Sequence, residues 1–124
     1  MRLIIGFVIL ALAFVGCTYS KKEVDYPIAN TCDTTNVKFS ANLLPLFAAK
    51  CNTTDCHNSS DIAGGWVLEN WAGVKDLVDN GNGRLLKVIE HDPSVSAMPK
   101  GGAKLSDCEI NKIKAWINAG ALEN

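Results

Sequence analysis

Apolar residues recur at helical spacing in four segments of the chain. In the first segment, Leu43, Phe47 and Cys51 fall on one face, which predicts a helix over about residues 41–51. Pro45 is compatible with this helix only near its start, because proline lacks the amide hydrogen that a helix interior requires. The predicted helix therefore directs its apolar stripe and Cys51 to the same side.

Two shorter helices are predicted in the middle of the chain. One covers about residues 70–79, with Asn70 as its cap. Its predicted inward face consists of Trp71, Val74, Leu77 and Val78. The other covers about residues 85–89 and ends before Pro93.

The last helix has the clearest boundary signals. Ser106 and Glu109 form a capping box, and Leu105 with Ile110 forms the hydrophobic staple that accompanies it. Gly120 lies where a C-terminal cap is expected. The predicted buried stripe consists of Ile110, Ile113, Trp116 and Ile117. Strand signals are limited to a run of three residues, so the pattern predicts an all-α fold.

The first residues have the composition of an export signal. Arg2 precedes an apolar run over residues 3–15, which is too short for a transmembrane helix of about 20 residues. The run ends at Gly16-Cys17, and a small residue before a cysteine here is typical of a lipoprotein processing site. The alternative is an ordinary signal peptide with an incidental cysteine. We expect a signal peptide over 1–16, an acylated Cys17 with a flexible tether over 17–31, and one domain over 32–124.

The charge balance argues against one class of partner. The chain of 124 residues has 12 basic and 13 acidic side chains, and the predicted signal peptide contains only one of them, Arg2. The remaining 11 basic and 13 acidic side chains give a net charge of −2. Nucleic-acid binding requires a clustered basic surface, so we expect no nucleic-acid partner.

The segment Cys51-Asn52-Thr53-Thr54-Asp55-Cys56-His57 carries the most specific chemistry. Two thiols followed at once by an imidazole suit covalent haem attachment, in which the thiols bind the vinyl groups and the histidine binds the iron. The usual motif has two residues between the cysteines and this one has four, but Asn, Thr and Asp favour an outward turn. Taken alone, the segment also fits a small disulfide loop or a zinc site.

Met98 favours haem over those alternatives. It precedes Pro99 in a glycine-rich loop, 41 residues after His57 and shortly before the last helix. Structural zinc does not use thioether ligands, whereas haem iron does. Pro99 restricts Met98 to an extended backbone, which helps to present the sulfur at a fixed point. We therefore expect His57 and Met98 to be the axial ligands of a haem.

With these residues, the chain resembles class I cytochromes c, in particular the small cytochrome c-like domains of bacterial envelope lipoproteins. The resemblance covers about residues 37–122. Phe47 resembles the aromatic that such proteins pack against the terminal helix, where Trp116 would be its partner, and the segment from 98 to 107 resembles their methionine loop. The resemblance implies an all-α cytochrome c-like fold around one haem c, with thioether bonds from Cys51 and Cys56 and axial ligands His57 and Met98.

Two cysteines of the domain remain, Cys32 and Cys108. An oxidising compartment favours a disulfide between them, which would join the start of the domain to the first turn of the last helix. The alternatives are two free thiols, or a metal site that they share with Cys56 and His57.

His91 is the only histidine besides His57. It could replace Met98 as the sixth ligand of the iron. The charged neighbours Glu90 and Asp92 instead favour an exposed, solvated histidine at a helix end.

These observations predict an electron carrier and not an enzyme. The sequence shows no Ser-His-Asp set and no acid–base pair, and two filled axial positions leave no place for a substrate on the iron. We expect a protein tethered to a membrane of the bacterial envelope, on a periplasmic or outer-membrane face, with a redox donor and acceptor as partners. The competing hypotheses are a zinc-binding lipoprotein without haem and a module held together by disulfides alone.

Overall fold

A computed structural model describes residues 32–124; the predicted signal peptide, Cys17 and the tether lie outside the described residues. This part of the chain is helical and contains no strand, which confirms the all-α class. None of its helices has the length and apolar composition that crossing a membrane requires. The elements in order are a π-helical turn (Phe39–Leu43), α1 (Leu44–Lys50), a 3-10 turn (Ala63–Gly65), α2 (Trp71–Asn80), α3 (Arg84–Glu90) and α4 (Asp107–Asn118).

The predicted start signals of α2 and α4 are confirmed. The Asn70 side chain accepts the Gly73 amide at 2.9 Å, as an N-cap does. At α4, the Ser106 hydroxyl accepts the Glu109 amide at 3.3 Å, and the Glu109 carboxylate accepts the Ser106 amide at 2.7 Å. Both bonds of the capping box are therefore present, and each satisfies an amide that lacks a partner within the helix.

The first helix differs from its prediction. Regular α-helix begins at Leu44, later than the predicted residue 41, because the chain first makes the wider turn over Phe39–Leu43. Pro45 lies in the first turn of α1, where its missing amide hydrogen has no consequence. The helix ends at Lys50, and Cys51 is its cap residue.

An aromatic cluster fills the centre of the core. Phe47 and Trp116, which the resemblance pairs with each other, are both about 1% exposed. The ring between them is Phe39, whose centroid lies 5.3 Å from that of Trp116 and 6.4 Å from that of Phe47. Tilted and offset aromatic pairs at such distances add to the stabilisation that burial gives. The helical spacing did not identify Phe39, because this residue precedes the regular helix.

Two further contacts join distant parts of the chain. Cys32 and Cys108 form a disulfide, in agreement with the predicted pair. The last residues are fixed by two indole hydrogen bonds: Trp71 Nε1 donates to the Ala121 carbonyl at 2.9 Å, and Trp116 Nε1 donates to the Leu122 carbonyl at 2.8 Å. Both ends of the described chain are therefore tied to the helical core.

The start of α2 packs directly on an extended segment. A Cβ atom placed on Gly73 would lie 1.9 Å from the carbonyl oxygen of Val67. Only glycine permits this approach, which brings the residues before α2 onto the helix. Those residues, from Trp66 to Leu68, form part of the site described next.

Candidate cofactor site

One cavity of about 600 Å³ brings together the four ligands that the sequence predicts: Cys51, Cys56, His57 and Met98. Its volume lies within the range of about 300–1,000 Å³ that is typical of cofactor and ligand sites. The rest of its wall is largely apolar and includes Trp66, Leu68, Leu77, Leu85, Val88 and Ile89. The cavity therefore offers sulfur and imidazole donors beside largely apolar walls.

Backbone hydrogen bonds close the lengthened loop between the two cysteines. The His57 amide donates to the Cys51 carbonyl at 3.0 Å, and the Cys56 amide donates to the Thr53 carbonyl at 3.1 Å. The four intervening residues thus form a turn that returns His57 to the end of α1. Cys51 and Cys56 are both free thiols. The structure therefore does not contain the alternative disulfide between them.

A network of polar side chains holds the outer part of this loop. The Asp61 carboxylate accepts the Asp55 amide at 2.8 Å and the Asn58 side-chain amide at 2.6 Å. Asn58 also donates to the Thr53 carbonyl at 3.0 Å. Asp55 has a φ of 63°, in the left-handed region that most side chains avoid. The Asp61–Asn58 network therefore compensates for a turn that the backbone alone would disfavour.

The imidazole of His57 is oriented by the extended segment before α2. Its Nδ1 lies 3.2 Å from the Trp66 carbonyl oxygen, and the Leu68 amide donates to the His57 carbonyl at 2.8 Å. A carbonyl oxygen can only accept, so Nδ1 is the donor of this bond and Nε2 is the ring nitrogen that remains for a ligand. Histidines that ligate metals commonly donate their other ring N–H to a carbonyl in this way. This role of the Trp66 carbonyl could not be read from the sequence, because the acceptor is a backbone group.

Met98 is fixed through both of its main-chain polar groups. Its amide donates to the Val88 carbonyl at 2.9 Å, and its carbonyl accepts a hydrogen bond from His91 Nε2 at 3.1 Å. Val88 and His91 belong to the end of α3, so this helix holds the methionine loop. The Met98 side chain is half-buried and packs against the core at the cavity wall.

The prediction that His91 is an exposed, solvated residue is wrong. The side chain is half-buried because the ring turns back onto the loop and bonds to Met98. Met98 lines the cavity, whereas His91 lies outside the lining and contacts the Met98 backbone.

The environment of Cys51 is unfavourable for a thiolate. Burial raises the pKa of the Cys51 thiol to about 11, and the nearby Cys56 adds a smaller upward contribution. The buried sulfur therefore stays neutral at physiological pH. Cys56 instead receives a hydrogen bond from the Thr53 hydroxyl at 3.3 Å.

Charged residues of both signs line the cavity, with the positive sign in excess. Lys50, Arg84 and Lys100 carry positive charge and Asp55 carries negative charge, and all four side chains are exposed. An apolar group that also bears carboxylates would suit this combination of walls and charges, and haem has two propionates. The residues present therefore fit a haem in their donors, in the volume of their cavity and in the sign of their charge.

The cysteine pairing bears on the alternative metal site. Cys32 and Cys108 are at bonding distance from each other, which removes both as donors for an ion bound by Cys56 and His57. Across residues 32–124, no three side chains of His, Cys, Asp or Glu are placed to hold one metal ion.

Comparisons of this chain with protein-family models, with curated proteins and with solved structures gave no match. The functional interpretation therefore depends on the residues and the geometry of this chain.

Proposed function

We propose that this protein is a monohaem c-type cytochrome that carries electrons. The observation that supports this most directly is the meeting of Cys51, Cys56, His57 and Met98 on one apolar cavity. The first three are close in sequence, whereas Met98 reaches the cavity only through the fold. A thioether next to a Cys-x4-Cys-His segment is a donor set that suits haem iron and does not suit structural zinc.

Each of the four residues has a separate role in this proposal. Cys51 and Cys56 form thioether bonds to the two vinyl groups, which makes the cofactor a covalent part of the domain. His57 Nε2 and the Met98 sulfur are the axial ligands, and methionine ligation raises the reduction potential. When bound, haem supplies an iron that gains and loses one electron.

The surrounding residues favour electron transfer over catalysis on the iron. The Trp66 carbonyl fixes the orientation of His57, and the end of α3 fixes the backbone of Met98. Two ligands held in this way leave no open position for a substrate, and the apolar wall limits the access of water. We therefore propose no enzymatic activity for this domain.

The anchor and the location complete the proposal. A protein that is acylated at Cys17 and exported would place this domain in the bacterial envelope, where an oxidising compartment allows the Cys32–Cys108 disulfide. Its partners would be a redox donor and a redox acceptor. Globomycin, which blocks lipoprotein processing, tests this point, since it should cause the unprocessed precursor to accumulate.

The cofactor is tested by expressing the full chain with c-type maturation machinery and denaturing the purified product. We expect a reduced pyridine haemochrome spectrum of the c type, and an intact mass that includes one haem after denaturation. A colourless, correctly exported product that carries zinc or a second disulfide would overturn the proposal in favour of the alternative module.

The second axial ligand is tested with Met98→Ala, compared with Ser96→Ala in the same loop. Ser96 is exposed and does not line the cavity, so its variant controls for disturbance of the loop. We expect Met98→Ala to keep covalent haem, to alter the spectrum and to lower the reduction potential, while Ser96→Ala behaves as the wild type. Equal potentials in the two variants would rule out Met98 as a ligand.

A further inference from the structure

We propose that His91 is a positioning residue for the second axial ligand: its hydrogen bond to the Met98 carbonyl holds the Met98 sulfur on the iron. This inference rests on the proposed function and adds to it a residue outside the cavity. It concerns the strength with which Met98 occupies its coordination position, and it assigns His91 no contact with the cofactor.

The geometry of the Met98 backbone leads to this inference. The Met98 amide is bonded to the Val88 carbonyl at 2.9 Å, and the Met98 carbonyl is bonded to His91 Nε2 at 3.1 Å. The first bond uses backbone on both sides and is independent of residue type. The second is a side-chain bond, so it depends on the residue at position 91. Because a carbonyl oxygen only accepts, His91 Nε2 is the donor of this bond.

The backbone of His91 points the ring back toward the loop. His91 is the cap residue of α3 and has φ 60° and ψ 42°, the left-handed conformation in which glycine is the usual residue. Its amide is bonded to the Val88 carbonyl at 3.3 Å, which fixes this conformation at the helix end. A glycine could make the same turn but could not reach Met98. The histidine thus combines the helix cap with a bond to the loop seven residues later.

A neighbouring turn provides a matched control. The Asp92 carboxylate accepts the Ser94 amide at 2.8 Å and the Ser94 hydroxyl at 2.6 Å, and both residues lie in the same loop as Met98. Removing the Ser94 hydroxyl takes one side-chain hydrogen bond from the loop without touching the bond to Met98. Any effect that is specific to His91 must therefore exceed the effect of Ser94→Ala.

The test is a titration of the oxidised holoprotein with imidazole, which competes with Met98 for the iron. We would compare the wild type with His91→Leu, His91→Gln, Ser94→Ala and Met98→Ala, and record the sulfur-to-iron charge-transfer band of each. His91→Leu removes the donor, whereas the glutamine amide can restore it. We expect His91→Leu to bind imidazole about fivefold more tightly than the wild type, the effect of losing one hydrogen bond.

The pattern among the variants decides the outcome. Wild-type affinity in His91→Gln and Ser94→Ala, with tighter binding and a weaker charge-transfer band in His91→Leu, would support the positioning role. If His91→Leu equals Ser94→Ala while Met98→Ala binds imidazole far more tightly, the role of His91 is wrong and the ligand assignment stands. If Met98→Ala equals the wild type, Met98 is not a ligand, and both the ligand assignment and the positioning role of His91 fail, while the covalent haem remains to be judged by the mass and the spectrum. If His91→Leu and His91→Gln change the affinity for imidazole equally, the proposed role of the hydrogen bond is also wrong.

Discussion

The domain contains two pairs of cysteines that differ in almost every respect. Cys32 and Cys108 are 76 residues apart and lie at disulfide distance. Cys51 and Cys56 are close neighbours in sequence and are free thiols at the wall of a cavity. The pair that is distant in sequence is thus joined, and the pair that is close in sequence is kept apart by a turn with hydrogen bonds of its own.

This difference shows what each pair can contribute. In the chain-entropy model, closing the long loop stabilises the folded state by about 4 kcal/mol, whereas closing the short loop gives only about 2 kcal/mol. The distant pair is therefore the better crosslink. The close pair instead presents two sulfurs beside His57, which suits covalent attachment of a cofactor. The predictions that follow test this division of roles, from the largest expected effect to the smallest.

The largest effect is expected from replacing both cavity cysteines, as Cys51→Ser with Cys56→Ser. A hydroxyl does not form the thioether bond, so the denatured product should contain no covalent haem at all. Intact mass measures this directly. The control is Cys32→Ser with Cys108→Ser, which should retain the full haem mass. Loss of haem in both double variants would mean that the two pairs do not have separate roles.

The distant pair should affect stability and leave haem attachment unchanged. Cys32→Ser with Cys108→Ser should lower the free energy of unfolding by about 4 kcal/mol, because the unfolded chain regains the entropy of the open loop. Denaturant titration followed by circular dichroism measures the change. Reduction and alkylation of the haem-loaded wild type should label Cys32 and Cys108 and no other cysteine of the domain. Labelling of Cys51 or Cys56 would contradict the thioether assignment.

Cys51 should be a slow nucleophile in the folded chain that carries free thiols. Burial raises the pKa of this thiol from 9.0 to about 11, so at pH 8 its alkylation should be about 100-fold slower than in denaturant. The folded state holds the thiol proton more tightly than the unfolded state. The associated stability is therefore fully present below about pH 9 and is lost as the pH rises toward 11. Mass spectrometry of the Cys51 peptide over a pH series tests this. Equal rates for the folded and the unfolded chain at pH 8 would contradict the buried position.

The smallest effect is expected from the network that holds the lengthened loop. Asp61→Asn weakens the bonds to the Asp55 amide and to Asn58, and should reduce stability by about 1 kcal/mol. In the same variant, the fraction of exported chain that carries haem should fall together with the stability. Ser59→Ala, an exposed position in the same connection, is the control. If the two variants have equal haem content and equal stability, the network does not support the turn.

Local signals identified much of the helical structure. The Asn70 cap and the capping box of Ser106 and Glu109 depend on side chains that bond within one turn of their own backbone. Such interactions need no tertiary contact, so the sequence contains all the information about them. The first helix was predicted less accurately, since the chain first makes a π-helical turn over Phe39–Leu43, where Phe39 packs against Trp116 from a distant part of the sequence.

The candidate ligands were also identified from the sequence, because the type and spacing of Cys51, Cys56 and His57 are themselves the chemical signal. The orientation of these ligands could not be predicted from the sequence. The Trp66 carbonyl that fixes His57 is a backbone group, and backbone groups leave no mark on composition or periodicity. The same is true of the Val88 carbonyl that holds the Met98 amide.

The sequence alone thus determined the all-α class, the starts of α2 and α4 and the choice of candidate ligands, since these follow from residue type and short spacing. Only the tertiary structure decided that Met98 reaches the same cavity as His57, that Cys32 and Cys108 lie together, and that His91 bonds to the methionine loop. The first two depend on how helices pack across long stretches of chain. The third depends on the left-handed backbone conformation of His91 at the end of α3, which directs its side chain onto the methionine loop and away from solvent.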